Sequence, residues 1–192
     1  MPVPDRETTS LSDGVITIRP VQLEDAEPWF NAVQETLDDL RPWMAFAQQE
    51  SGRLYPSRQD IVLWLGVQTD SWVKGTNYAF AIVDANTEAL LGSCLLNGLN
   101  PLYRMANVVY WVRTSARGRG IAGRAVRLLA RFGFHDLGLL RLEIVIATSN
   151  QASLRVAEKA GARQEGVLRN RILVGEILYE AIMYSLIPSD LL

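Results

Sequence analysis

The stretch RTSARGRGIAGRA, residues 113–125, places four arginines and three glycines within thirteen positions of a chain whose formal net charge is −2. It follows the apolar run ANVVYWV and precedes an apolar-periodic segment, so it reads as a strand turning into a helix. The first N–H groups of a helix have no intrahelical partner, and the helix dipole adds roughly half a positive charge at that end. Glycines let a ligand approach such backbone closely, which makes the junction a ready anion site. Arg117 and Arg119 can add charge-assisted bonds to phosphate oxygens. The chemistry these residues suit is the holding of a phosphate or pyrophosphate.

Three other readings compete. One is a solvated turn whose arginines only keep the surface soluble. Another is a dinucleotide fold, because Gly118-Arg119-Gly120-Ile121-Ala122-Gly123 has the form G-x-G-x-x-G and Glu143 lies 20 positions beyond Gly123. That acid should end a second strand, yet Glu143 begins one, and the glycines come more than a hundred residues into the chain. A Walker A loop fails because no Gly-Lys-Ser or Gly-Lys-Thr follows.

The elements that must position this loop are legible on either side of it. Residues 1–13 read as a poorly ordered polar tail and 14–192 as one domain. GVITIRPV suits a first strand, and LEDAEPWFNAVQETLDDLRPWM a helix with an acidic first turn, broken at LRPWMAF by Pro42. A Ser57-to-Asp60 capping pattern opens a second helix. Two strands joined by a turn at Asp84–Thr87 follow, then ANVVYWVR, nearly all apolar and expected to be buried on both faces. A helix over 120–137 carries the stripe Ile121, Ala125, Leu128, Leu129 and Phe132. RLEIVIAT is a strand, NQASLRVAEKAGA a short helix capped by Gly161, and the chain closes as a hairpin turning near Val174–Glu176.

Composition narrows the classes. The chain has 192 residues, 48% of them hydrophobic and 21% charged, as in an ordinary globular domain. A pI near 5.5 argues against broad nucleic-acid binding, so the basic cluster should meet a small anion. The one cysteine, Cys94, lies in an apolar run and reads as a core residue; no internal disulfide can form. The first residues lack a signal-peptide core and no run is long enough for a membrane span, so a cytoplasmic protein is expected. No cluster with metal-ligand spacing is present in the sequence, and no metal is expected.

The segment RGRGIA, with Arg117, Gly120 and Ala122, resembles the acyl-CoA pyrophosphate loop of the GNAT N-acetyltransferase superfamily. IVIATSNQASLRVAEKAGARQEGVLRN is similar to its strand, asparagine-containing loop, short helix and closing strand. ITIRPVQLEDAEPWF, LRPWM and EKAGARQEGVLRN resemble the RimJ/RimL-like branch, and the resemblance covers about residues 14–187. It implies a single α/β domain with a mixed, mostly antiparallel sheet, two splayed parallel central strands and flanking helices. It implies acetyl-CoA as co-substrate.

Carried over by the resemblance, backbone groups of Trp111, Val112 and Arg113 pair with the pantetheine arm, and Val112 N–H polarises the thioester carbonyl. Amides of Gly118, Arg119, Gly120, Ile121 and Ala122 hold the pyrophosphate, with Arg117 beside them. Asn150 matches a residue that bonds the arm, although it also suits a helix cap. Where many members carry a tyrosine on the short helix, this chain has Ala157. Ser153 matches the branch's substitute acid for the departing thiolate; its other reading is a helix first-turn residue. Glu165 resembles a carboxylate near the acceptor, where it is either the base or a solvated strand-start acid. His135 reads as a surface residue. Trp43, Met44 and Phe46, with Tyr179 and Tyr184 of the hairpin, either cradle the acceptor or are core.

The function implied is direct acetyl transfer to a primary amine, foremost the N-terminal α-amine of a ribosomal or other protein. Small-molecule amines and antibiotics stand as alternative acceptors, and a CoA-binding regulatory module as an alternative class. No nucleic-acid or membrane partner is expected; a homodimer is suggested by the resemblance alone.

Overall fold

The computed structural model describes residues 3–43 and 56–191. Twelve principal elements are formed within them: β1 (Leu11–Ser12), β2 (Ile16–Pro20), α1 (Ala26–Leu40), α2 (Arg58–Val73), β3 (Tyr78–Asp84), β4 (Leu90–Asn100), β5 (Met105–Val112), α3 (Ile121–Arg131), β6 (Arg141–Ala147), α4 (Gln151–Ala160), β7 (Arg163–Val174) and β8 (Ile177–Leu186). The eight strands form one mixed sheet in the order β1-β2-β3-β4-β5-β6-β8-β7. Every pairing is antiparallel except β5 with β6.

Alternating side chains divide the sheet between two apolar layers. Ile16, Ile18, Phe80, Ile82, Leu96, Val108 and Ile144 pack with α3 and α4. Val21, Ala79, Ala81, Val83 and Trp111 pack with α1 and the first half of α2. The α3 stripe expected from periodicity is buried, all five residues at 3% exposure or less. Cys94 is fully buried in the first layer, where desolvation pushes its thiol pKa up; it behaves as a core residue.

Local chemistry sets the boundaries. Ser57 Oγ accepts from Asp60 N–H at 3.2 Å and Asp60 accepts from Ser57 N–H at 2.7 Å, the capping box the sequence predicts. Gly161, at φ 93°, ends α4, and the closing hairpin turns at Gly175, φ 60°. α1 stops at Leu40, two residues before Pro42, earlier than its apolar pattern suggests. α3 gives way at Phe132 to a wider turn over Phe132–Asp136, which carries the exposed His135.

Two expectations are corrected. The N-terminal segment is tied to the domain: Leu11 and Ser12 pair with Ile18 and Thr17, and Trp72 Nε1–H donates to Pro4 C=O at 2.9 Å. β5 is not buried on both faces throughout: Ala106, Val108 and Trp111 are buried and its other five residues half-buried. The reason is its parallel neighbour. β5 pairs with β6 only over Met105–Asn107 against Arg141–Glu143. Five further residues of β5 and four of β6 then run on without pairing to each other, and the two strands part.

Candidate active site

α1 fixes the turn that leaves β5. Arg113 Nε–H donates to Glu35 at 2.8 Å, and Glu35 also accepts from Ser115 N–H at 2.5 Å. The buried Thr36 hydroxyl accepts from Thr114 N–H at 3.1 Å, and Thr114 Oγ1–H donates to Asp39 at 3.0 Å. The Arg113 guanidinium, with the Ser115 N–H, holds the Glu35 carboxyl down at about 2. These contacts aim the chain into the Gly118–Gly120 bend, whose glycines adopt φ of 74° and 75°. A Cβ on either would meet no atom within 4 Å, so this backbone faces open space. The first backbone bond of α3 runs from Arg124 N–H to Gly120 C=O, 3.2 Å. The N–H groups of Ile121, Ala122 and Gly123 precede that ladder and are offered at the helix N-terminus.

One cleft of about 790 Å³ runs from the end of β5 along this loop to the first turns of α4. Its lining brings together Trp111, Val112, Arg117, Gly118–Ala122, Asn150 and Ser153, and it reaches Trp43. Among the described residues six cations surround it: Arg117, Arg119, Arg124, Arg127, Arg155 and Lys159. Among the described residues that line it Asp39 is the one acid, and it pairs with Arg117 at 2.7 Å. Arg155 and Lys159 form no ion pair among the described residues. Unpaired donors and cations around an open bend suit a dianionic phosphate chain.

Backbone alternation sorts the three β5 residues assigned to a ligand. Arg113 N–H donates to Leu91 C=O at 2.8 Å, and Arg113 C=O accepts from Ala116 N–H at 3.0 Å. Arg113 therefore has no backbone group left for a ligand, and its side chain serves α1. In an antiparallel ladder these groups alternate in direction, so Trp111, like Arg113, points at β4. Val112 and Tyr110 point the other way, into the gap. Of the trio, Val112 alone has its N–H where a bound carbonyl could meet it.

At the far wall, Asn150 caps α4: its side-chain oxygen accepts from Ser153 N–H at 3.1 Å. Ser153 Oγ lies 2.8 Å from the hydroxyl of Tyr110. Burial pushes the Tyr110 phenol up to about 12. Sequence reasoning missed Tyr110, although it lies two residues before Val112 and so shares its face. It also missed Arg155 and Lys159, whose i,i+4 spacing on α4 was the available signal.

Glu165 does not line this cleft. Arg141 donates to it twice, at 2.8 and 2.5 Å, and Ser185 Oγ–H donates at 2.7 Å. Ser185 pairs with Glu143, the last β6 residue paired with β5, so Glu165 sits level with the point where the two strands part, outside the cleft lining. The same partners hold its carboxyl down at about 2, which leaves it a poor base. In the structure Glu165 is the ion-pair partner of Arg141. Tyr184 is buried and its hydroxyl donates to Glu158 at 3.2 Å, as a core residue would. Tyr179 stands 6.1 Å from Trp43, ring to ring, outside the cleft lining. Met44 and Phe46 lie outside the described residues.

A family model described as an acetyltransferase (GNAT) domain matches residues 16–163. The chain is 25% identical over 181 residues to "Probable N-acetyltransferase YjcK" of Bacillus subtilis (strain 168), covering 94% of this chain and 98% of that one. It is 29% identical over 175 residues to YdaF of the same organism, whose name carries a provisional ribosomal N-acetyltransferase assignment, covering 91% and 92%. A solved structure of RimL, a ribosomal L7/L12 α-N-protein acetyltransferase in complex with coenzyme A, superposes with a TM-score of 0.84 at 18% identity, covering 93% and 98% of the two chains. At that identity the likeness speaks for the fold.

Proposed function

Since the chain belongs to the GNAT acetyltransferase family, we propose that it carries an acetyl group from acetyl-CoA directly to a primary amine, foremost the N-terminal α-amine of a ribosomal-type protein. The observation that carries this reading is the cleft that joins the end of β5, which parts from β6 beyond Asn107, to the Gly118–Ala122 bend and α4. The provisional ribosomal N-acetyltransferase name of YdaF supports the acceptor class.

Each step falls to a group of this chain. The amides of Gly118–Ala122 and the surrounding arginines hold the pyrophosphate. Val112 N–H receives the thioester oxygen as negative charge develops on it. The amine lone pair attacks the carbonyl carbon, the C–S bond breaks, and sulfur leaves with the electron pair. Ser153 Oγ–H gives that sulfur its proton, and Ser153 recovers one through water from the acylated nitrogen. An α-amine, with pKa near 7.7 to 8, is substantially neutral at working pH, whereas a lysine near 10.4 is not. With the Glu165 carboxylate engaged by Arg141 and Ser185, a water chain is the base, and this suits the α-amine better. The reading places the reaction in the cytoplasm, with the ribosomal acceptors.

The test offers acetyl-CoA with two peptides: one with a free N-terminal serine or alanine, one blocked at its N-terminus and bearing a lysine. The reading expects mass spectrometry to find one acetyl group on the first and none on the second. Acetylation of the lysine peptide alone, or of neither, would reject the α-amine assignment.

A further inference from the structure

The Tyr110 hydroxyl has one hydrogen and two acceptors, both on Ser153: the side-chain oxygen at 2.8 Å and the backbone carbonyl at 3.1 Å. Ser153 cannot swing away from this contact freely. Its N–H is held by Asn150 Oδ1, and Leu154 N–H donates to Asn150 C=O at 3.1 Å, which fixes the first turn of α4. Tyr110 is equally fixed, since β5 pairs with β4 through Cys94 at that level. No phenol comes from α4 itself, which contains no tyrosine and carries the buried Ala157. A phenol held near 12 stays protonated across the working range, so it remains a permanent hydrogen-bond donor.

The direction of one hydrogen bond decides what Ser153 can do. If Ser153 donated to Tyr110, its proton would point at the phenol and away from the cleft. With Tyr110 donating to Ser153 Oγ, the serine hydrogen is free to turn outward. We propose that Tyr110 is the positioning residue for the leaving-group step, its O–H donating to Ser153 Oγ so that the Ser153 hydrogen points at the sulfur of the bound thioester. This rests on the reading of Ser153 as the thiolate's proton donor. When the C–S bond breaks, sulfur keeps the electron pair and takes the Ser153 proton. Ser153 Oγ, still accepting from the phenol, recovers a proton through water from the acylated nitrogen. Tyr110 ends the cycle with its own proton.

The experiment uses CoA, which needs no acceptor. The thiolate absorbance of protein-bound CoA is followed against pH in the wild-type protein, Tyr110→Phe, Ser153→Ala and the double variant. A hydrogen bond from Ser153 to sulfur stabilises the thiolate, so wild type should lower the thiol pKa below that of free CoA. Tyr110→Phe and Ser153→Ala should each bring it back toward the free value, and the double variant should go no further. In turnover with the free-serine peptide, Tyr110→Phe should lower kcat by roughly tenfold while the KM for acetyl-CoA stays within about twofold. Fluorotyrosine at position 110, a stronger donor of the same shape, should lower the thiol pKa further. A wild-type pKa in Tyr110→Phe beside a raised one in Ser153→Ala would overturn the role of Tyr110 and leave Ser153 acting alone. A wild-type pKa in Ser153→Ala would overturn both.

Discussion

A Cβ placed on Gly92 would lie 2.2 Å from the carbonyl oxygen of Trp111 and 2.8 Å from Cα of Val112. Both neighbours are backbone, so neither can step aside as a flexible side chain would. β4 can press against β5 at the level of Val112 only because position 92 has no side chain.

Gly92→Ala should therefore displace β5 at the residue whose N–H faces the gap. We expect a loss of about 1–3 kcal/mol in stability, read by denaturant unfolding, and a fall in acetyl-CoA affinity, read by calorimetric titration. Reduced stability with wild-type affinity would mean that Val112 is not placed by this contact.

Gly120 gives a cleaner separation of strain from binding. It sits at φ 75° with no atom within 4 Å of an added Cβ, and so does Gly14 at φ 83°, away from the cleft. Alanine at either should cost about 1–2 kcal/mol of backbone strain. Only Gly120→Ala should also weaken acetyl-CoA binding, by roughly tenfold or more, because its methyl group would stand where the phosphates approach. Equal affinities in the two variants would remove the bend from the binding site.

Glu165 makes a prediction in the opposite sense. Its carboxyl lies near 2, below the ordinary 4.5, because Arg141 and Ser185 hydrogen-bond to the anion. A depressed carboxyl stabilises the fold above its ordinary pKa, and the contribution is lost as pH falls from about 4.5 toward 2. Glu165→Gln should be less stable than wild type at pH 7 and nearly equal to it at the acid end, by thermal unfolding at a series of pH values. Its pH–rate profile should superimpose on that of wild type. A shifted profile would return Glu165 to the chemistry.

Much of this was legible in the chain because it is encoded locally. The Arg/Gly bend, the Ser57 capping box, the Gly161 cap and the α3 stripe each depend on residues within one or two turns of one another. What stayed hidden depends on distant partners. Arg141 and Ser185 lie 24 and 20 positions from Glu165, and no local pattern signals that they will claim its carboxylate. The exclusion of Arg113 from the gap follows from the ladder register with Leu91, which period-2 alternation alone cannot fix. Tyr110 looked like one more apolar strand residue, because its role depends on Ser153, 43 positions away. The N-terminal segment looked disordered by composition, yet a two-residue strand and one indole bond secure it.

The most direct test of the account is a thermal-unfolding series with acetyl-CoA, CoA, NAD and ATP at equal concentration. At about 100 times its dissociation constant a ligand adds roughly 2.7 kcal/mol. For a chain of this size that corresponds to a rise of about 5 to 11 °C in Tm. The account predicts this rise with acetyl-CoA and CoA and none with NAD. A rise with NAD alone would contradict it, and the opening between β5 and β6 would then belong to a different ligand.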